Sequence, residues 1–588
     1  MTDYQDAGYS SFMERNPLLS TPDSFPTADL SGILEDSAIG PVKTTRGSFE
    51  ATVGENADYG TIQQAINSGA KRIFVKSGIY YINSDITIPS GTIIYSQDKE
   101  NTILDFGNSS YAMRASGVTR GLENSMYQQS VLEINVTYNS KSIDLISWGV
   151  PTTLQDIGVT VGDYLTYSNQ GNISIYKIAS IESGSSATLD SVYQGTFTGY
   201  LPQFMFRNLL FDIHIEGFTF RNSSDYVISF LDVYRGSAKD CVFTNCGGLK
   251  VIDSDLFSVE NNRFSEVTTN IPLYIGGASN RIKNNVISNC SGITWGMYVG
   301  GDRMCGYIYN PRSGYNIVKD NNICDINNTV STKSIGIKIE SLYSIAENNT
   351  ITNTRGSGIL VSASNFKVTR NNFGKNNFSK TAVDIEVNGM SGVITDNISY
   401  YSDTAIAVTS VLSNSVVSNN TIYLCTGNGI YIPSPNGNTI TNNSITTDQD
   451  SRSYPYGIYL GYGTNNVVSC NSLPRSSGYY GIYLTGYNNV VSNNTGGSSW
   501  CFIECQGTRN SITGNVIDNT ARGIKIATSD GDSNVISGNT TWGCDYGIDI
   551  SMSTCVGNLV TSNITVGSTK AGLNDAGTST TKADNIFN

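Results

Sequence analysis

One short pattern recurs about every 23 residues between Asn261 and Asn563, and it constrains the fold more than any other feature of the sequence. Its first half is a small residue followed by an apolar, a variable and an apolar residue, such as the Gly-Ile-Tyr-Leu of 457–460. Its second half is an asparagine among alternating apolar residues, such as the Val-Ser-Asn-Asn-Thr-Ile of 417–422. A fixed period of this length is typical of a solenoid, in which each repeat packs only against its neighbours.

The apolar residues inside each repeat alternate with a period of two, which indicates strands. No repeat contains the ten or more periodic residues that an interposed helix needs, so leucine-rich and helical arrays are disfavoured. Short strands with Gly and Asn at the corners predict an all-β fold, a single-stranded parallel β-helix. The last Asn of each repeat is expected to stack on its counterpart in the next coil as an Asn ladder, at positions 262, 285, 322, 349, 372, 397, 420, 443, 471, 494, 515, 539 and 563.

The rest of the chain is divided by changes in this rhythm. Residues 1–57 contain Pro and Ser without periodicity and are predicted to form an extended attachment arm, with a disordered tail as the alternative. A short N-capped helix and the first coils follow at 58–112, where the helix would cap the open end of the solenoid. Strand patterns without the ladder predict a small inserted all-β domain at 113–205. The main β-helix then occupies 206–573, and 574–588 form a short tail.

Composition excludes several classes of function. The net charge is −13 and the pI is near 4.7, which disfavours nucleic acid and anionic membranes, because phosphate binding needs clustered Lys and Arg. The first residues carry no secretory signal and no run of about 18 apolar residues spans a membrane, so synthesis in a cytoplasm is expected. The single histidine disfavours Ser–His or Cys–His nucleophiles. No metal or other cofactor is expected, and the cysteines that recur at one register, Cys246, Cys290, Cys425 and Cys544, are predicted to be buried thiols.

The repeat at 481–495 resembles the NosD-type, pectin-lyase-like right-handed β-helix family of carbohydrate-binding proteins and sugar hydrolases. The helix-then-strands opening at 58–106 is similar to the entry of viral tailspike β-helices. The resemblance implies a right-handed solenoid and a virion receptor-binding protein that acts at the host cell surface. It also implies a homotrimer whose N-terminal arm attaches to a tail or baseplate component.

The middle residue of each apolar–x–apolar strand should point outward, so that one column of side chains runs along the coils about 4.8 Å apart. The tyrosines of this column are predicted to contact glycan, because each combines an apolar ring with a hydroxyl. They could equally stack across strands or pack against another subunit. The predicted glycan-binding members are Tyr298, Tyr431, Tyr459 and Tyr483, together with Glu504.

Three carboxylates of the strip form a candidate catalytic set. Asp384 and Glu386 stand two residues apart on one strand, roughly 6.5–7 Å at the backbone, and Glu340 stands two coils away, about 10 Å. Inverting glycosidases hold two carboxyl groups about 6.5–9.5 Å apart. The spacing therefore permits an inverting endo-glycosidase with Glu340, Asp384 and Glu386 as acid and base. A solvated acidic face on an acidic chain is the alternative.

An insertion at 300–315 is rich in Arg and Tyr and leaves the chain directly after an outward strand. Long loops on solenoids often carry binding residues. Arg303 and Tyr307 are therefore predicted to contact glycan beside Glu340, with a plain surface excursion as the alternative.

Three functions remain open from the sequence. The first is a tailspike that binds, and in one version hydrolyses, host surface polysaccharide. The second is a structural spike or adhesin without enzymatic activity, in which the tyrosines pack against a neighbouring subunit. The third is a polysaccharide lyase or epimerase, which would need Ca²⁺ carboxylates and a basic residue such as Lys338.

Overall fold

The computed structural model describes residues 49–119, 131–148, 153–169, 172–194, 199–201, 204–268, 270–300, 314–327, 334–374, 382–448, 455–474, 479–527 and 531–588. These residues fall into two compact units. The N-terminal unit contains the described residues of 49–327 and 337–345, and the C-terminal unit contains those of 334–336 and 346–588. Within the described ranges no helix has the length and apolarity needed to cross a membrane.

Each unit is built from coils, and a coil contributes three short strands that we call A, B and C in chain order. The A strands are Ala51–Val53, Arg72–Val75, Ile93–Tyr95, His214–Glu216, Ser237–Lys239, Ser258–Glu260, Arg281–Lys283, Ile317–Lys319, Ile345–Glu347, Phe366–Thr369, Gly392–Thr395, Val416–Ser418, Thr439–Thr441, Val467–Ser469, Val490–Ser492, Ser511–Thr513, Val535–Ser537, Leu559–Thr561 and Thr581–Ala583.

The B strands follow the A strands after a tight corner. They are Gly78–Tyr81, Thr102–Ser109, Thr219–Ser223, Val242–Thr244, Arg263–Ser265, Val286–Ser291, Asn322–Asn327, Thr350–Thr354, Asn372–Gly374, Ile398–Tyr400, Thr421–Cys425, Ser444–Thr447, Ser472–Leu473, Thr495–Gly496, Val516–Asp518, Thr540–Trp542, Ile564–Val566 and Ile586–Phe587.

The C strands complete each coil. They are Ile86–Thr87, Met113–Ser116, Ile228–Leu231, Leu249–Ile252, Leu273–Gly276, Trp295–Gly300, Ile335–Ile339, Ile359–Val361, Val383–Val387, Thr404–Val408, Leu412–Ser413, Ile430–Ile432, Pro435–Asn436, Tyr456–Thr464, Tyr480–Tyr487, Cys501–Gln506, Arg522–Ile526, Tyr546–Ile550 and Ala571–Asp575.

Within each unit the strands pair in parallel with the same strand of the next coil, which confirms the predicted parallel β-solenoid. In the C-terminal unit Val417 pairs with Ile440, Ile440 with Val468 and Val468 with Val491. All four side chains are fully buried. The period-two pattern of the sequence thus places these apolar residues of successive A strands in one interior stack of the C-terminal unit.

A ladder of buried asparagines forms the corner between A and B strands. The amide nitrogen of Asn420 donates to Oδ1 of Asn443 at 2.9 Å and to the carbonyl of Ile394 at 3.0 Å, and its backbone N–H also donates to Asn443 Oδ1 at 3.0 Å. The same bonds therefore satisfy corner groups that strand pairing leaves unpaired. The ladder comprises Asn262, Asn285 and Asn321 in the N-terminal unit, and Asn349, Asn371, Asn397, Asn420, Asn443, Asn471, Asn494, Asn515, Asn539, Asn563 and Asn585 in the C-terminal unit.

Two ladder positions expected at Asn322 and Asn372 are wrong by one residue. Asn321 and Asn371 are buried and carry the ladder bonds, whereas the residue after each is exposed. The residue before a ladder Asn adopts the left-handed conformation, as Asp320 and Arg370 do with φ of 57°. The corner geometry, rather than the second Asn of a pair, therefore decides which side chain faces inward.

A second Asn ladder, which the sequence reasoning missed, lines the corner before the A strands. Asn466 donates to Asn489 Oδ1 at 2.9 Å, and Asn489 donates to Asn510 Oδ1 at 3.1 Å. Six members follow one another in the C-terminal unit, namely Asn438, Asn466, Asn489, Asn510, Asn534 and Asn558.

An antiparallel module interrupts the coils of the N-terminal unit. Its strands are Val118–Thr119, Val131–Val136, Ser142–Trp148, Tyr164–Asn169, Asn172–Ile181, Ser186–Leu189, Gly199–Leu201 and Phe204–Asn208. It encloses an apolar core of its own around Ile134, Leu165 and Ile178. Strand Met113–Ser116 pairs directly with Ile228–Leu231, so the coils before and after the module are neighbours. The domain limits given above remain a prediction.

A pair of short strands and one helix complete the described structure. Leu210–Phe211 pairs with Val233–Tyr234. The helix Ile62–Asn67 begins after Thr61, whose side chain and that of Gln64 form a capping box. A helix at this place agrees with the sequence, and its role in closing the solenoid stays a prediction, as does the attachment arm, most of which lies outside the described residues.

The ladder generates a stability prediction. Asn443→Ala removes an acceptor for Asn420 and donors to Val417 and Asn471, and should lower the free energy of unfolding on the order of 3 kcal/mol. We expect a clear drop in the thermal unfolding midpoint measured by circular dichroism. The neighbouring exposed Ser444→Ala is the matched control and should leave the midpoint unchanged. Equal midpoints for the two variants would contradict a structural role for the ladder.

Candidate functional site

The candidate site of the C-terminal unit is the outward face of its C strands. Strand register places one outward residue of every coil in a single column: Leu360, Glu386, Ala407, Tyr431, Tyr459, Tyr483, Glu504, Lys525, Asp549 and Asn574. This column confirms that Tyr431, Tyr459 and Tyr483 occupy successive coils. Their glycan contact stays a prediction.

The three tyrosines stack on each other along the column. The ring centroids of Tyr431 and Tyr459 are 4.7 Å apart, and those of Tyr459 and Tyr483 are 5.4 Å apart with nearly parallel planes. Ring faces inside such a stack are covered by their neighbours, so the edges and hydroxyl groups are what each ring presents to a ligand. The column therefore offers a row of hydroxyls about 4.8 Å apart, the spacing of adjacent strands.

A second aromatic row runs beside the first. Tyr456 and Tyr480 stack with centroids 5.2 Å apart, and each meets Tyr483 edge-on. The guanidinium of Arg522 lies 4.2 Å from the ring centroid of Trp500, at a cation–π distance. The sequence reasoning missed this row, although Tyr456 and Tyr480 precede the glycine of the repeat at the same place in successive coils.

Two carboxylates of the column are held by charged and amide partners. Glu504 is only 2% exposed, and it accepts hydrogen bonds from Gln506 at 2.6 Å and Lys525 at 3.1 Å. Asp549 accepts from Arg522 at 2.8 Å and from Asn574 at 2.8 Å. Each positive charge of this region is thus balanced in place by a carboxylate.

Burial raises the pKa of the Tyr480 and Tyr483 hydroxyls, and the carboxylate of Glu504 raises both pKa values further. A raised pKa keeps these phenols protonated through the neutral range. The hydroxyl row beside Glu504 therefore consists of groups that can both donate and accept hydrogen bonds.

The predicted placement of Asp384 on the outward face of the C strands is wrong, because its side chain lies inside the coil. Its side chain is 1% exposed and accepts a hydrogen bond from the Ser399 hydroxyl at 2.5 Å inside the coil. Register pairs Asp384 with Ala405, and the backbone bonds of Gly358 place it beside Asp384, so Asp384 occupies the small-residue position of the repeat. A carboxylate so enclosed cannot touch a substrate.

Glu386 takes the outward place that had been assigned to Asp384. Register pairs it with Leu360 and Ala407, it is half-buried, and its carboxylate accepts a hydrogen bond from the Ser357 hydroxyl. Its catalytic role remains a prediction, as does that of Glu340.

The N-terminal unit holds the other predicted residues in a cluster of its own. The carboxylate of Glu340 accepts hydrogen bonds from the Tyr298 hydroxyl at 2.7 Å and from the Lys338 ammonium at 2.5 Å. Lys338 also lies 4.1 Å from the ring centroid of Trp295. Tyr298 is nearly buried, stacked between Tyr274 at 4.6 Å and Trp295 at 5.2 Å. The two donors fix the orientation of the Glu340 carboxylate.

The remaining sequence predictions concern the insertion at 300–315, the cysteines and metal binding. Arg303 and Tyr307 lie outside the described residues, so their predicted glycan contact is untested. Cys246, Cys290, Cys425 and Cys544 are buried free thiols, as predicted. Among the residues the structure describes, no three His, Cys, Asp or Glu side chains converge as a metal ion would require.

The position of Asp384 generates a prediction. Asp384→Ala removes a buried carboxylate and restores a small residue where Gly358 and Ala405 stand in adjacent coils. We expect an unfolding temperature equal to or above that of the wild type, because replacing buried charged groups by apolar ones is often neutral or stabilising. Differential scanning calorimetry measures this. Loss of ligand binding by a variant with unchanged stability would instead indicate that Asp384 is part of the binding surface.

Comparison with known proteins finds one family model and several solved structures that are similar to this chain. The family model described as periplasmic copper-binding protein (NosD) matches residues 375–495 and 447–588. A search of curated proteins found no match. The tailspike protein gp49 from Pseudomonas phage LKA1 is 12% identical, with 85% of this chain and 74% of that chain covered and a TM-score of 0.27.

Two further solved structures are similar at the same level. The Gp54 tailspike of Acinetobacter baumannii bacteriophage AP22, in complex with A. baumannii capsular saccharide, is 15% identical over 87% of this chain and 72% of that chain, with a TM-score of 0.30. The alginate lyase AlyF-OU02 in complex with G6 is 15% identical over 59% and 82%, with a TM-score of 0.39. Nothing about activity follows from likeness at this level. The chain is a parallel β-solenoid whose C-terminal repeats match the NosD family model and whose structural neighbours are tailspikes and other β-helix proteins.

Proposed function

We propose that this protein is a virion receptor-binding spike that binds polysaccharide on the host cell surface through the outward C-strand face of the C-terminal unit. The observation that carries the proposal is the row of hydroxyls at Tyr431, Tyr459 and Tyr483 on three successive coils. A polysaccharide presents hydroxyl groups along an extended chain, and a rigid row of donors and acceptors matches such a ligand.

The charge pattern supports an uncharged rather than an acidic stretch of glycan at this face. Lys525 and Arg522 are already paired with Glu504 and Asp549, and Lys570 is paired with Asp545 at 3.0 Å. An acidic sugar would have to displace one of these carboxylates. Amide, hydroxyl and ion-paired groups can instead bond to sugar hydroxyls without losing their own partners.

The structural-spike alternative requires the tyrosines to pack against another subunit. A different surface offers an apolar contact, since the B strands expose Ile564 and Ile586 on adjacent coils, with Trp542 beside them at 54% and Val516 beyond Thr540 in the same register column. Contiguous exposed apolar residues mark protein interfaces. We therefore assign contacts between copies, in the homotrimer that remains a prediction, to the B face, which leaves the tyrosine face for ligand.

Hydrolysis is the finer version of the proposal. With Asp384 enclosed, the surface carboxylates left from the predicted set are Glu340 and Glu386. Glu340 is held in one orientation by the Tyr298 hydroxyl and the Lys338 ammonium, and a positioned carboxylate is what a catalytic base requires. No observation favours the lyase or epimerase alternative, because Lys338 is engaged by Glu340.

The binding proposal predicts the effect of removing only the hydroxyls. The triple variant Tyr431→Phe, Tyr459→Phe, Tyr483→Phe retains the ring stack, so its unfolding temperature should equal that of the wild type. Each lost hydrogen bond contributes about 0.5–1.5 kcal/mol, and affinity for polysaccharide should fall at least about tenfold. Biolayer interferometry on immobilised, structurally defined bacterial polysaccharides measures the change.

The matched control is the triple Tyr→Phe variant at Tyr400, Tyr401 and Tyr423, which are exposed near the B strands. It should bind as the wild type does. A wild-type protein that binds no polysaccharide, or two triple variants with equal affinity, would contradict the proposal.

Hydrolysis is tested by incubating a bound polysaccharide with the wild type, Glu340→Gln and Glu386→Gln, and following product size by size-exclusion chromatography. If the protein is a depolymerase, the wild type shortens the chain and at least one variant loses that activity by about 100-fold or more while still binding. Binding without shortening by the wild type would restrict the function to attachment.

A further inference from the structure

One aromatic side chain on the C-strand face differs from the stacked tyrosines beside it. Strand Tyr456–Thr464 pairs with Tyr480–Tyr487, and the register shifts between Leu460 and Tyr462. Leu460 pairs with Leu484, whereas Tyr462 pairs with Thr485, so Gly461 is an extra residue, as in a β-bulge. Bulges redirect the side chains next to them.

The two residues that flank Tyr462, Gly461 and Gly463, must both be glycine. A Cβ atom at Gly461 would lie 1.9 Å from the carbonyl oxygen of Pro433, and one at Gly463 would lie 2.2 Å from that of Pro435. Both glycines are therefore required for the backbone to pass this close to the preceding coil. The close approach on both sides fixes the backbone that carries Tyr462.

The Tyr462 side chain projects from this backbone into solvent. Tyr462 is 86% exposed, the highest value among the large apolar residues that the structure describes, and its ring stacks on no other described aromatic ring. Both faces of this ring are available, in contrast to Tyr459, whose ring is stacked between Tyr431 and Tyr483. Exposing a large aromatic side chain on a rigid backbone stabilises nothing in the fold.

The surroundings of Tyr462 identify the chemistry of its ligand. It stands three residues after Tyr459 on the same strand, beside the hydroxyl row, and the Gln506 amide lies two coils further along its register column. An apolar ring face next to hydroxyl and amide groups complements a sugar ring, which combines an apolar face of C–H groups with equatorial hydroxyls. A purely apolar partner would leave the neighbouring polar groups without bonds.

We propose that Tyr462 is the stacking platform for one sugar ring of the bound polysaccharide, while the hydroxyls of Tyr459 and Tyr483 bond to the hydroxyls of that ring or its neighbour. This inference rests on the proposed function and assigns its principal apolar contact to a residue outside the stacked column. The stack orients the chain by hydrogen bonds, and Tyr462 supplies the contact with a ring face.

The test compares Tyr462→Ala and Tyr462→Trp with the wild type, as full chains, on immobilised, structurally defined bacterial polysaccharides. Tyr462→Ala should lower affinity about tenfold or more, which corresponds to about 1.4 kcal/mol. Tyr462→Trp retains a ring face and should bind as tightly as the wild type or more tightly. Because the side chain is exposed, all three proteins should unfold at the same temperature, so misfolding does not confound the comparison.

The control is Tyr423→Ala, an exposed tyrosine of a B strand, which should bind as the wild type does. Unchanged affinity for Tyr462→Ala while the wild type binds would overturn this inference and leave the proposed function intact. Equal losses for Tyr462→Ala and Tyr462→Trp would also overturn it, because stacking would then not be the cause. A wild-type protein that binds none of the polysaccharides would contradict the proposed function and this inference with it.

Discussion

The bond between stacked asparagine side chains is the interaction on which the rest of the molecule depends. Every coil turns sharply between its A and B strands, and a corner of this kind leaves backbone donors and acceptors inside without strand partners. From Asn262 onward the ladder supplies those partners from a single side chain per coil, as Asn420 does with Asn443 and the Ile394 carbonyl. A left-handed residue immediately before it, such as Asn419 with φ of 55°, makes the turn.

The ladder fixes the register between neighbouring coils. That register positions the outward side chains on which the proposed function depends. Because each ladder Asn lies against the one in the next coil, the C strands come into parallel register without a helix between them. Outward residues therefore form columns, and chemistry that one coil could not provide is repeated at the strand spacing. The tyrosine stack, the hydroxyl row and the ion-paired carboxylates of Glu504 and Asp549 are consequences of that arrangement.

Much of the fold could be predicted from the sequence, because the period of the repeat and the period of its strands are both visible there. The candidate site was harder to predict where a local pattern fits two registers. The segment 382–385 matches the small–apolar–x–apolar motif as well as 384–387 does, since Asp384 replaces the usual glycine, and a shift of two residues brought Asp384 outward in place of Glu386. Pairing with the neighbouring coil resolves this ambiguity, and no single repeat contains that information.

Other features depend on contacts that no pattern shows. Tyr462 lies beside a bulge, between Gly461 and Gly463, where the backbone closely approaches Pro433 and Pro435. Its only sequence signal is a Gly-Tyr-Gly directly after a strand of the repeat. The enclosure of Glu504 likewise results from Gln506 and Lys525, which lie on the same strand and on the next coil.

The central claim is that polysaccharide binds the C-strand face of the C-terminal unit. Hydroxyl-radical footprinting of the wild-type protein, with and without a bound polysaccharide, tests it most directly, because mass spectrometry reads the oxidation of each tyrosine separately. We predict protection of Tyr431, Tyr459, Tyr462 and Tyr483, and unchanged oxidation of Tyr400 and Tyr423 near the B strands. Protection of the B-strand tyrosines alone, or of no tyrosine on the C-strand face, would contradict the claim.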